Sequence, residues 1–99
     1  MNRTIVWSPA SEKDFAGILE YLDSKWGIDV TNRFIDKLDG ILEHIKRNPG
    51  QYPLIFKKLK IRKCVITKHN TLYYRYNQNQ IEILRIYDTR QDPRKLNFH

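Results

Sequence analysis

The run ILRIYDTRQDPRKLNFH, residues 83 to 99, sets three arginines, two aspartates and a tyrosine in and behind a strand-like apolar stretch. Strand alternation predicts Ile83, Arg85 and Tyr87 on one face and Leu84, Ile86 and Asp88 on the other. A guanidinium and a phenol on one surface suit an anionic group. Arginine's planar fork meets phosphate or carboxylate oxygens two at a time, and tyrosine donates its hydroxyl or stacks on a base. Arg62, which follows Lys57, Lys58 and Lys60, widens the basic cluster, and Tyr73 and Arg75 are further open-face groups of the same sheet. With Arg90 at the end of the run, these cations are the candidate contacts to nucleic acid or another target, and the combination suits RNA. Each also has a structural account. Lysines 57, 58 and 60 can blunt an exposed edge strand. Arg62 and Arg85 can pair with carboxylates such as Glu82 or Asp92. Tyr73, Tyr74 and Tyr76 can simply pack the sheet.

Charge placement sharpens this. Residues 1 to 49 carry seven Lys/Arg against eight Asp/Glu, a net of −1, whereas residues 50 to 99 carry eleven against three, a net of +8. So concentrated a positive field attracts polyanions or an acidic protein segment. Other chemistry is set aside. The single Cys64 forms no intramolecular disulfide, and His44, His69 and His99 lack metal-ligand spacing, so neither metal nor cofactor is expected. His69 reads as a turn residue, and His44, near a Lys-Arg pair, as a favourable helix-end contact. There is no GxGxxG, P-loop, GxSxG or CxxC pattern. Neither a membrane span nor a signal peptide is visible, which predicts a cytoplasmic protein.

The elements that must position these side chains follow from period and punctuation. A length of 99 residues fits one domain spanning 1–99. TIVW is β-prone, and Ser8 followed by Pro9 predicts an N-cap and first helical position. Phe15, Ile18, Leu19, Leu22 and Trp26 recur at helical spacing until Gly27, with Trp7 and Trp26 read as core. After a short connection, Val30, Phe34, Leu38, Ile41, Leu42 and Ile45 repeat the pattern until RNPGQYP stops it, giving an antiparallel helical hairpin. LIFKKL, KIRKCVIT, TLYYRYN and IEILRIYD then read as strands joined by the short turns KHN and NQNQ. The predicted fold is α+β: an N-terminal strand and a helical hairpin on one face of a small, mainly antiparallel sheet, in the order β-α-α-β-β-β with room for a further strand.

The segments VWSPASEKDF, ILEYL, RFIDKLDGILEHI, NPGQYP and IRKCVITKHNTLYYRYNQNQIEILRIYDTRQDP, in that order, span nearly the whole chain. Together they resemble the RelE/ParE superfamily of bacterial type II toxin-antitoxin toxins. The resemblance implies a growth-inhibiting toxin, a role in plasmid stabilisation, and a cognate antitoxin bound in a hetero-oligomer. It also implies one of two targets. RelE-like members are mRNA interferases that cut ribosome-bound message without metal. In that case Arg62 and Arg85 would stabilise charge on the scissile phosphate, Lys57, Lys58 or Lys60 would assist, and Tyr87 would transfer a proton. ParE-like members inhibit DNA gyrase and need no such constellation. The long hairpin and the ending RIYDTRQDP are similar to ParE-type chains. Asp88, where many relatives have histidine, would repel phosphate. The ParE-like reading is therefore preferred, with the ribonuclease as alternative and a non-toxic binding module as the third.

Overall fold

Ser8 ends one element and begins the next. In the computed structural model, which describes residues 3–98, β1 (Thr4–Trp7) runs into Ser8, whose hydroxyl oxygen accepts the Ser11 backbone N–H at 3.0 Å. Pro9 takes the first helical position, so α1 (Pro9–Trp26) starts where its cap predicts. It stops at Gly27, where φ is +92°, a conformation strained for any residue bearing a Cβ. α2 (Ile28–Arg47) follows directly, so the expected connection shrinks to that one glycine. Beyond the Pro49–Pro53 loop come β2 (Leu54–Phe56), β3 (Ile61–Thr67), β4 (Asn70–Tyr76) and β5 (Gln80–Asp88), then a short 3-10 turn at Pro93–Lys95.

The sheet order is β1-β5-β4-β3-β2. β1 pairs parallel to β5, and the remaining neighbours are antiparallel. A parallel partner needs a long crossover, which the hairpin and the rest of the sheet supply. The helices cover one face. Phe34, Leu38, Leu42 and Ile45 of α2 pack on Cys64, Ile66, Leu72, Tyr74, Ile81, Ile83 and Ile86. α1 contributes less: Phe15, Ile18, Leu19 and Leu22 are only partly buried against this core. Its apolar stripe is left half open.

Four expectations change. Trp26 is not core but 61 % exposed, because α1 ends there and nothing packs over its last turn. LIFKKL is a strand only to Phe56; residues 57–60 form a turn, with Lys60 at a φ of +57°. The alternation of β5 is broken by a bulge: Tyr73 pairs with Arg85 but Tyr74 with Ile83, leaving Leu84 as an extra residue. Ile83 therefore faces the helix-covered core, while Arg85 and Tyr87 project to the opposite face. The bulge falls where β1 ends, and Ser8 secures it, its hydroxyl donating to the Leu84 carbonyl at 2.8 Å and its N–H to the Ile83 carbonyl at 2.9 Å.

That opposite face is not an open surface either. The chain after β5 returns across it, and Phe98 stacks edge-on against Phe56 and Tyr73, with ring centroids 5.5 and 5.4 Å away. Tyr87 is left only 6 % exposed and donates its hydroxyl to the Asp92 carbonyl.

Candidate functional site

Because α1 only partly covers its own stripe, a groove of about 990 Å³ opens between the first half of the hairpin and the far end of β5. Ile18, Leu22, Trp26, Phe34 and Ile86 form its apolar floor and walls. Lys13, Arg33, Lys37, Arg85 and Arg90 bring five cations to the same groove, with Asp14 and Asp88 as its carboxylates. It is an amphipathic slot with a positive rim.

Arg85 forms part of one wall in a fixed geometry. Its Nε and Nη2 donate to Asp14 Oδ2 and Oδ1 at 2.7 and 3.0 Å, and Nη1 donates to the Asn97 carbonyl at 3.1 Å. Asp14 Oδ2 also accepts the Ile86 backbone N–H at 3.0 Å. One carboxylate from α1 thus satisfies both the guanidinium and the edge of β5 just past the point where β1 stops pairing. Both side chains are about 15 % exposed, at 15 and 16 %. The hydrogen bonds it donates to Asp14 hold the Arg85 guanidinium more firmly protonated than usual, against the opposing effect of burial. The Tyr87 ring lies 5.7 Å from the Arg85 guanidinium carbon, so the expected Arg85–Tyr87 neighbourhood exists.

At the groove mouth, Arg90 donates from Nη2 and Nε to Asp88 at 2.9 and 3.0 Å, and its guanidinium carbon lies 6.0 Å from the Tyr21 ring of α1. The Arg90 side chain holds the Asp88 carboxyl below the usual carboxylate range, with burial opposing. Asp88 is therefore an ionised partner neutralised by its neighbour.

The other candidates lie elsewhere. Arg62 pairs in register with Tyr74, on the face opposite Arg85, and its Nη1 donates to the Tyr52 and Gly50 carbonyls at 2.7 and 3.2 Å. It clamps the loop leaving α2. Lys57, Lys58 and Lys60 stand exposed in the β2–β3 turn, and none lines the groove. The carboxylates expected to pair with Arg62 and Arg85 are taken: Glu82 by Arg75 at 2.6 Å, Asp92 by Arg94 at 2.8 Å. The residues missed from sequence are those of the hairpin, Asp14 above all, 71 positions from Arg85. Lys13, Arg33 and Lys37 were hidden in a half whose net charge is slightly negative.

A family model described as the ParE toxin of type II toxin-antitoxin system, parDE, matches residues 5–93. The chain belongs to that family, within the RelE/ParE superfamily of type II toxin-antitoxin toxins. Among solved structures, the chromosomal ParDE system from P. aeruginosa aligns with a TM-score of 0.65 at 14 % identity, covering 87 % of this chain and 95 % of that one. The YoeB dimer from Staphylococcus aureus gives 0.64 at 19 % identity, covering 88 and 97 %. The YoeB-YefM complex from the same organism gives 0.61 at 19 %, again covering 88 and 97 %. At these identities the likeness is one of fold. No curated protein matches the chain by sequence.

Proposed function

We propose that this toxin arrests growth by inhibiting DNA gyrase, and that a cognate antitoxin silences it by laying an amphipathic, acidic segment along the helix–sheet groove. The observation that carries the target is the engagement in the fold itself of the three leading candidates for phosphate cleavage, Arg62, Arg85 and Tyr87. Arg85 is held bidentate by Asp14, Arg62 clamps two loop carbonyls on the other face, and the Tyr87 hydroxyl is buried against Asp92. Cleaving RNA requires cations and a proton-transfer group to converge on one phosphate before reaction. Here they diverge. Inhibiting a protein target needs only a surface, and Arg90, Lys57, Lys58 and Lys60 supply exposed cations for it.

The antitoxin reading is supported by the groove's apolar floor and cationic rim, which suit a helix with apolar residues at i, i+3, i+4 and i+7 and carboxylates along its flanks. The fold neighbours include a YoeB-YefM complex. The experiment is labelled-precursor incorporation after induction of the toxin alone. Early loss of DNA synthesis with an SOS response is the expected result. Early loss of protein synthesis would instead favour the ribosome-dependent nuclease, and unchanged growth would favour a module that has lost its toxicity.

A further inference from the structure

At the end of the sheet remote from the groove, two arginines crowd one tyrosine. The guanidinium carbons of Arg3 and Arg62 lie 5.3 and 5.7 Å from the Tyr76 ring centroid. Arg3 is held there by Nε donating to the Asn77 carbonyl at 2.8 Å, and Arg62 by the carbonyls of the loop leaving α2. Among the described residues no carboxylate forms an ion pair with either. Arg75, the neighbour of Tyr76 in β4, is instead paired with Glu82 at 2.6 Å.

Among the described residues Arg33 and Arg47 also form no ion pair, but of the arginines only Arg3 and Arg62 share one aromatic ring. Arg75, Arg85, Arg90 and Arg94 each face a carboxylate. Arg3 and Arg62 instead share a ring face or edge, with the charge of each left to solvent and to backbone oxygens. Like charges held at separations comparable with the ~8 Å Debye length of physiological salt repel one another, and a bound anion relieves that repulsion. The nitrogens outside those carbonyl bonds, Nη1 and Nη2 of Arg3 and Nε and Nη2 of Arg62, suit the oxygens of a phosphodiester backbone.

We infer that the Arg3–Tyr76–Arg62 cluster is a phosphate-backbone contact for duplex DNA. The choice of duplex over other nucleic acid rests on the gyrase reading, since gyrase works with DNA in hand. The six-residue rise of β4 sets the cluster roughly 20 Å from the groove end of the sheet, so a segment seated in the groove leaves it accessible. The toxin then has two working ends, one for its protein partner and one for the polyanion beside its target.

The test is fluorescence anisotropy of a short labelled duplex against the purified full chain over a series of salt concentrations. Arg3→Ala should weaken binding about tenfold and lower the magnitude of the salt slope by about one. The double variant Lys68→Ala/Lys95→Ala, which removes more charge from other exposed positions, should change both far less. Thermal midpoints are taken for each variant, and if Arg3→Ala shifts its midpoint, Arg3→Gln, which keeps a donor for the Asn77 carbonyl while removing the charge, replaces it. Equal losses in the cluster and the control variants would overturn the site, because net charge would then explain binding. So would unchanged binding by the cluster variants, or tighter binding of a single-stranded RNA of equal length. Supercoiling inhibition is assayed separately. Wild-type chain that binds duplex through Arg3 yet leaves gyrase active would retain the site and remove the gyrase reading.

Discussion

Asp14 does the work of several residues. It accepts from two nitrogens of Arg85 and from the Ile86 N–H, so Asp14→Ala leaves a largely buried cation with only the Asn97 carbonyl and a strand-edge N–H without its acceptor. Breaking such a pair from one side costs on the order of 3 kcal/mol. Chemical denaturation should show that loss, and the double variant Asp14→Ala/Arg85→Ala should be less destabilised than the two single changes added together. A single-variant loss below about 1 kcal/mol, the range of an exposed pair, would mean the carboxylate is dispensable. Tyr74 offers a pH test. Its buried hydroxyl donates to the Pro49 carbonyl at 2.6 Å, and burial pushes its pKa well above the usual tyrosine value; burial also raises those of Tyr52 and Tyr73. Above about pH 10 the unfolded chain's tyrosines lose protons that the folded chain keeps, so stability present below that pH falls as pH rises further. Tyr74→Phe should lower the neutral-pH stability by about 1 kcal/mol and flatten the alkaline decline. An alkaline limb as steep as wild type's would assign it to other groups. On the acid side, Asp88 adds stability that is lost only as pH falls through its depressed pKa, a small amount for so exposed a partner.

The segment after β5 acts as a third layer. Phe98 touches Phe56 and Tyr73, Asn97 accepts from Arg85, and Asp92 accepts from Tyr87, so a stretch that reads as charged tail is tied down at three points. Phe98 is only half-buried, and its truncation should therefore cost less than a full core phenylalanine, roughly 1.5 kcal/mol. Phe98→Ala is expected to bind an environment-sensitive apolar dye more strongly than wild type while keeping its helical signal. A variant indistinguishable from wild type in both dye binding and midpoint would show that the segment does not cover the face in solution.

For the molecule as a whole, net positive charge gathers in the half that builds the sheet, and the groove combines cations with apolar area. Binding of the antitoxin should weaken with added salt as rim contacts are screened, yet keep much of its strength from the apolar floor. Titrations at low and high ionic strength, repeated with Trp26→Ala, separate the two contributions. The substitution should weaken binding at both salts and leave the salt dependence unchanged. Affinity indifferent to salt would remove the cationic rim from the docking surface. The purified toxin is also expected to leave naked RNA intact, since the cleavage candidates Arg62, Arg85 and Tyr87 do not converge on one phosphate.

Much of this architecture was legible along the chain because it depends on near neighbours. Ser8-Pro9 and Gly27 bound α1, the Pro49–Pro53 loop follows α2, and β-branched runs separated by short polar turns mark the strands. These signals act within a few residues, where capping and backbone sterics dominate. The exposed lysines and the proximity of Arg85 to Tyr87 were readable for the same reason. Tertiary structure decided the rest. The bulge at Leu84 arises because β1 ends opposite it and Ser8 takes its carbonyl, so the face presented by Arg85 depends on a strand 76 residues earlier. Arg85 took Asp14 rather than Glu82 or Asp92 because packing α1 on β5 brings that carboxylate to the unpaired strand edge. Trp26 kept the helical period of a core residue while standing in solvent, because period says which residues share a face and only the neighbouring elements determine whether that face is covered.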